Sequence, residues 1–87
     1  MATKYAIEFA ASAAREFRSF DVQMQRRMSA KIAALANDPI PANARKYQGA
    51  EDHWRIRVGD YRVIYRIEKQ RLLIVIVRIG NRREVYR

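Results

Sequence analysis

The chain reads as an α+β fold in which helices pack on one face of an antiparallel sheet. Three observations point there. Residues 11–36 carry apolar side chains at helical spacing, residues 54–68 alternate apolar and basic on both sides of Gly59-Asp60, and residues 72–79 are apolar almost throughout. With 87 residues, one domain spanning 1–87 is expected. Its core is small for its surface.

The elements follow in order. Tyr5, Ile7 and Phe9 fall on one side of a short first strand at residues 4–9. Phe17, Phe20, Met24, Met28, Ile32 and Leu35 then recur every three or four residues, which makes one apolar stripe with its methionines in the core. Asp21 interrupts that stripe and suits the cap of a second helix, so the segment divides into a helical hairpin at 11–19 and 22–36. Asn37-Asp38-Pro39 ends it, because the residue before a proline avoids the helical region. Residues 40–52, with Pro41 and Gly49, read as a loop holding a short extended piece at 45–47. A three-stranded meander completes the chain at 54–58, 61–68 and 72–79. The last strand shows no alternation, so it is expected in the sheet interior, buried on both faces and ended by Gly80 and Asn81.

The stretch WRIRVGDYRVIY fixes a register. A two-residue loop with glycine first suits a type II′ turn. If Gly59-Asp60 is that loop, Arg57 lies opposite Arg62, Ile56 opposite Val63 and Trp54 opposite Tyr65. Opposed residues share a face. Trp54, Ile56, Val58, Tyr61, Val63 and Tyr65 then face the helices, while Arg55, Arg57, Arg62, Ile64 and Arg66 face away beside His53. Arg57 against Arg62 is a like-charge pair, which weakens a sheet. The repulsion is on the order of 1 kcal/mol in water, and an anion held between the two guanidiniums reverses its sign. The competing reading has Glu51, Glu68 or Glu84 folding back to neutralise them.

Charge supports the first reading. Lys and Arg number 18 against 9 Asp and Glu, a formal net charge of +9. Residues 1–44 hold six basic and four acidic side chains; residues 45–87 hold twelve and five. Fourteen of the basic residues are arginine, which binds phosphate through planar, bidentate bonds. A surplus placed this way suits a polyanion, an acidic protein, or both. There is no cysteine, which excludes disulfides and thiolate metal sites and fits a reducing cytoplasm. The start of the chain is broken by Lys4, Glu8 and Arg15, unlike a secretory signal. The longest apolar run, LLIVIV, is too short to span a bilayer. A soluble cytoplasmic protein with no membrane partner is expected.

Several chemistries drop out. A pair of histidines is impossible with His53 alone, and His53 reads as a surface residue. Carboxylates do not cluster at ligand spacing, so neither metal nor other cofactor is expected. Arginine stays protonated and cannot act as a base. What remains is a phosphorane stabilised by arginines, with Tyr86, a glutamate or His53 moving protons. Tyr86 has two readings. Beside several guanidiniums its phenol, ordinarily near pKa 10, is lowered and can take a proton; otherwise its ring packs on the sheet rim. Tyr61 and Tyr65 read as packing.

NDPIPANARKYQGAEDHWRIRVGDYRVIYRI, the apolar strand and GNRREVYR together resemble the RelE/ParE toxin superfamily, on its RelE side, over nearly the whole chain. That resemblance implies a RelE-like fold and the toxin of a type II toxin–antitoxin pair. It implies a ribosome-dependent, metal-independent endoribonuclease that cleaves mRNA codons in the A site, with the ribose 2′-hydroxyl as nucleophile. By the same resemblance Arg55 and Arg57 bind and polarise phosphates, with Arg83 a further substrate-binding residue. Arg62 stabilises the transition state, Arg82 matches the catalytic arginine of the loop after the last strand, and Tyr86 activates the 2′-hydroxyl and stacks on a base. The implied partners are a cognate acidic antitoxin, the ribosome and mRNA. Three departures stand out. The best-known member has lysines where this chain has Arg55 and Arg57, many relatives have histidine where Asn81 stands, and the tail ends one residue past Tyr86, where some members add a helix. The alternatives are a non-catalytic gyrase inhibitor of the ParE branch and a plain nucleic-acid-binding module.

Overall fold

The computed structural model describes residues 4–48 and 51–81. It contains five strands and two helices: β1 (Ala6–Phe9), α1 (Ala11–Arg18), α2 (Val22–Ala34), β2 (Arg45–Lys46), β3 (His53–Val58), β4 (Tyr61–Glu68) and β5 (Leu73–Asn81). The strands form one sheet in the order β1-β5-β4-β3-β2. β3, β4 and β5 make the expected antiparallel meander. The helical hairpin carries the chain across so that β1 joins β5 in parallel, Ile7 beside Ile74. The short extended piece pairs as the edge strand β2. The sheet therefore has two strands more than the meander and the N-terminal strand's position was not expected from local pattern.

Each helix is there for a local reason. α2 starts where Asp21 Oδ1 accepts a 2.8 Å hydrogen bond from the Met24 amide, which satisfies one of the orphan donors of the first turn. It ends at Ala34, two residues before the expected bound, with turns running on to Asn37. Met28, Ile32 and Leu35 of the stripe are buried against the sheet, and Phe17, Phe20 and Met24 pack partly buried around them. α1 lies on β5, and α2 reaches β3. Tyr65 sits wholly inside this core, its hydroxyl donating to the Pro39 carbonyl at 2.7 Å. Burial, with the Asp38 carboxylate adding to it, holds that phenol well above its ordinary pKa. Tyr65 is thus a packing residue that also ties down the loop following α2.

β5 departs from the reading in two ways. It runs through Gly80 to Asn81 instead of stopping there. It also carries an irregularity: Tyr65 pairs with Ile76 and Ile64 with Arg78, so Val77 is skipped. Such a bulge reverses the alternation of side chains beyond it. Ile74 and Ile76 before it, and Ile79 after it, all reach the helical core, while Arg78 is exposed opposite Ile64. The strand is interior but not buried on both faces: Val75 is half-buried and Arg78 exposed on the side away from the helices.

Candidate functional site

The hairpin has the register that its turn dictates. Val58 pairs with Tyr61, Arg57 with Arg62, Ile56 with Val63, Arg55 with Ile64, Trp54 with Tyr65 and His53 with Arg66. Gly59 takes a left-handed φ of 59°, and Asp60 is not among the positive-φ residues. That combination belongs to type II′ rather than type I′, which needs both central residues left-handed. Ile56, Val58, Val63 and Tyr65 all lie in the core, so the arginines are forced onto the opposite face by the period of the strand.

They converge there. A depression of about 240 Å³ is lined by Arg45, Arg55, Arg57, Arg62, Asn43 and Ile56. β2 pairing places Arg45 directly beside Arg55, so this side of the sheet has two adjacent cross-strand arginine pairs, Arg45–Arg55 and Arg57–Arg62. Arg62 is the deepest, 8% exposed; Arg55 is half-buried, and Arg45 and Arg57 are exposed. Arg57 Nε donates to the Gly59 carbonyl at 3.1 Å, and Arg45 Nη1 donates to the carbonyls of Ala42 and Ala44 at 3.2 and 2.9 Å. These bonds to backbone fix the direction of two guanidiniums without neutralising them. Guanidinium keeps its proton at any accessible pH, so the four arginines themselves do not titrate.

Glu68 does not supply the counter-charge at this point. Its Oε2 accepts from Arg66 at 2.7 and 3.2 Å, and its Oε1 accepts from Arg71 at 3.1 Å. The hydrogen bond from Arg66, with the two positive charges helping, holds the carboxyl below the usual range for glutamate. Glu68 is six residues beyond Arg62 on β4, about 20 Å along an extended strand. His53 stands at the same far end of the hairpin, four residues from Arg57 and about 13 Å along β3. One nitrogen of its ring, Nδ1, donates to the Glu51 carbonyl at 2.7 Å, which fits a surface role.

Of the six residues singled out from sequence, Arg55, Arg57 and Arg62 come together as expected. Arg82, Arg83 and Tyr86 lie outside the described residues, as does Glu84. β5 does bring the chain to this place: Gly80 pairs with Arg62 and Asn81 with Tyr61, and Arg82 is the next residue. Sequence reading missed Arg45 and Asn43, which reach the depression from the loop and strand before the hairpin. Among the described residues, no three His, Asp or Glu side chains stand together as a metal site, and no helix is long and apolar enough to cross a membrane.

Known proteins resemble this chain along most of its length. A family model described as the ParE toxin of the type II toxin–antitoxin system, parDE, matches residues 7–86. A RelE-like toxin protein of Escherichia coli is 26% identical over 81 residues, covering 91% of this chain and 84% of that protein. Among solved structures, the archaeal RelE–RelB complex of Pyrococcus horikoshii matches with a TM-score of 0.81 at 26% identity, over 91% of this chain and 96% of that one. The isolated RelE toxin of Escherichia coli matches with a TM-score of 0.78 at 25% identity, over 94% and 90% of the two chains.

Proposed function

We propose that this chain, which belongs to the RelE/ParE superfamily of type II toxin–antitoxin toxins, is a ribosome-dependent endoribonuclease that cleaves mRNA in the A site. One observation carries the reading above all: four arginines from three adjacent strands line a single depression. Like charges set opposite one another weaken a sheet. A phosphodiester with its single negative charge, rising as the phosphorane forms, makes the same cluster favourable.

In this reading Arg55, Arg57 and Arg83 hold the phosphates on either side of the cut, and Arg62 and Arg82 meet the charge that develops on the non-bridging oxygens. Tyr86 takes the proton of the 2′-hydroxyl as that oxygen bonds to phosphorus. The bond from phosphorus to the 5′-oxygen breaks, and the leaving oxygen takes up a proton. Arg45 joins the substrate-binding set, because it shares the depression with Arg55. The partner is a cognate acidic antitoxin, as the RelE–RelB complex of the Pyrococcus horikoshii relative suggests. An acidic segment folding across this face would neutralise it and occlude the substrate.

Mapping mRNA ends after the toxin is induced in growing cells tests the reading. Cuts within codons of translated messages are expected, absent when translation is blocked before induction. Intact messages together with loss of gyrase supercoiling would favour the second reading, a ParE-type gyrase inhibitor, which the match to a ParE family model keeps in view. Intact messages and normal supercoiling would leave a simple nucleic-acid-binding module.

A further inference from the structure

A second groove adjoins the arginine depression. It has a volume of about 610 Å³, within the range of small-ligand sites. It lies between α2 and the tip of the hairpin, lined by Arg27, Ala30 and Lys31 from the helix, Val58 and Gly59 from the hairpin, and two residues it shares with the first depression, Asn43 and Arg57. The two share these residues, and among the described residues β2 pairs only with Trp54 and Arg55, so no strand pairs with the outer edge of β3 from Ile56 to the turn.

Arg27 is held in a particular attitude. A Cβ built on Gly59 would stand 3.4 Å from its Nη2, 3.6 Å from Nη1 and 3.8 Å from Cζ. Cζ is the farthest of the three, so the Nη1–Nη2 edge of the guanidinium is turned obliquely toward the turn. That edge is directed at the protein, and the side chain as a whole is exposed, which leaves the plane of the guanidinium open to solvent. A carboxylate is recognised through the edge of a guanidinium, in its plane. A nucleobase stacks on the face. Lys31, one helical turn on, adds a point charge suited to phosphate, and Ala30 and Val58 give an apolar floor.

We propose that this groove is a second RNA subsite, holding the nucleotide next to the cleaved linkage on the same strand. Its phosphate lies between Arg57 and Lys31, and its base stacks on Arg27 above the Ala30–Val58 floor. The assignment rests on the reading of the first depression as an RNA site, and Arg57 serves both.

The test is equilibrium binding of two uncleavable probes, a dinucleotide and a trinucleotide with 2′-O-methyl riboses, at several salt concentrations. Wild type binds the trinucleotide more tightly, with a salt slope steeper by about 0.7 for the added phosphate. The Arg27→Ala, Lys31→Ala double variant loses about five- to tenfold in trinucleotide affinity, the scale of two partly exposed charge contacts. It also loses the extra slope and stays within about twofold of wild type on the dinucleotide. Arg27→Lys keeps the slope but gives up part of the affinity, because the stacking plane is gone. Arg15→Ala, Arg18→Ala removes the same charge from α1, lines neither groove, and leaves the difference between probes intact. An equal loss on both probes, an equal loss from the α1 variant, or an effect seen with a poly-glutamate peptide and not with the trinucleotide would overturn the second subsite and leave the first standing. Failure of wild type to bind either probe would remove the RNA reading of both.

Discussion

At the scale of single residues, the site sets stability against function. Arg57 faces Arg62 across the hairpin, and replacing it with glutamine removes a repulsion while giving up the hydrogen bond to the Gly59 carbonyl. The two effects nearly cancel, so Arg57→Gln should change unfolding stability by no more than about 0.5 kcal/mol. Urea unfolding checks this, and the same variant should no longer arrest growth. Tyr65 and Tyr86 should behave in opposite ways. Tyr65→Phe leaves the Pro39 carbonyl without its donor and costs about 1 kcal/mol, visible in the urea midpoint but not in the chemistry. Tyr86→Phe and Arg82→Ala should each relieve growth arrest with the urea midpoint unmoved. Full toxicity in a folded Arg82→Ala, Tyr86→Phe double variant would show that binding alone does the work.

At the scale of elements, local chemistry sets what the sequence reveals. The hairpin register was legible to the residue because a glycine-first two-residue turn leaves one pairing, and the alternation of apolar and basic residues tells which face is which. The start of α2 was legible through Asp21, and Asp21→Ala should lower stability by about 1 kcal/mol in a urea titration. The bulge at Val77 was not legible. In LLIVIVRI every residue before Arg78 is apolar, so a change of face leaves no mark in the pattern. The parallel pairing of β1 with β5 joins strands more than sixty residues apart, and no local signal encodes it. Edge strand β2 has two basic residues and no alternation, so Arg45 read as part of a loop, not of the site. Its nearness to Arg55 comes from the pairing alone. The tip of the hairpin carries one more constraint. Gly59→Ala should cost about 1–2 kcal/mol for the left-handed φ, while the added methyl meets the Arg27 guanidinium only at ordinary contact distance.

At the scale of the molecule, the fold sorts charge from core. The helices and the inner sheet face bury the apolar residues, and the opposite face carries Arg45, Arg55, Arg57, Arg62, Arg66 and Arg78. At its far end a carboxylate, Glu68, balances Arg66 and Arg71. Since the folded pKa of Glu68 is depressed, its contribution to stability is present above the ordinary glutamate range and fades as pH falls through the lowered value. The urea midpoint of Glu68→Gln should therefore lie below that of wild type at pH 7, and the two should approach each other in acid. With a net charge of +9, attraction to ribosomes should weaken steeply with added salt.

The most direct measurement is the single-turnover rate of cleavage of mRNA programmed into the A site of purified ribosomes, compared between wild type and the folded variants Arg62→Ala and Arg57→Ala. If the guanidiniums stabilise the phosphorane, wild type cuts within the codon and Arg62→Ala is slower by about a hundredfold or more, the usual loss when a preorganised charge donor is removed. A wild type that leaves the codon whole, or an Arg62→Ala variant that cuts at the wild-type rate, would contradict it.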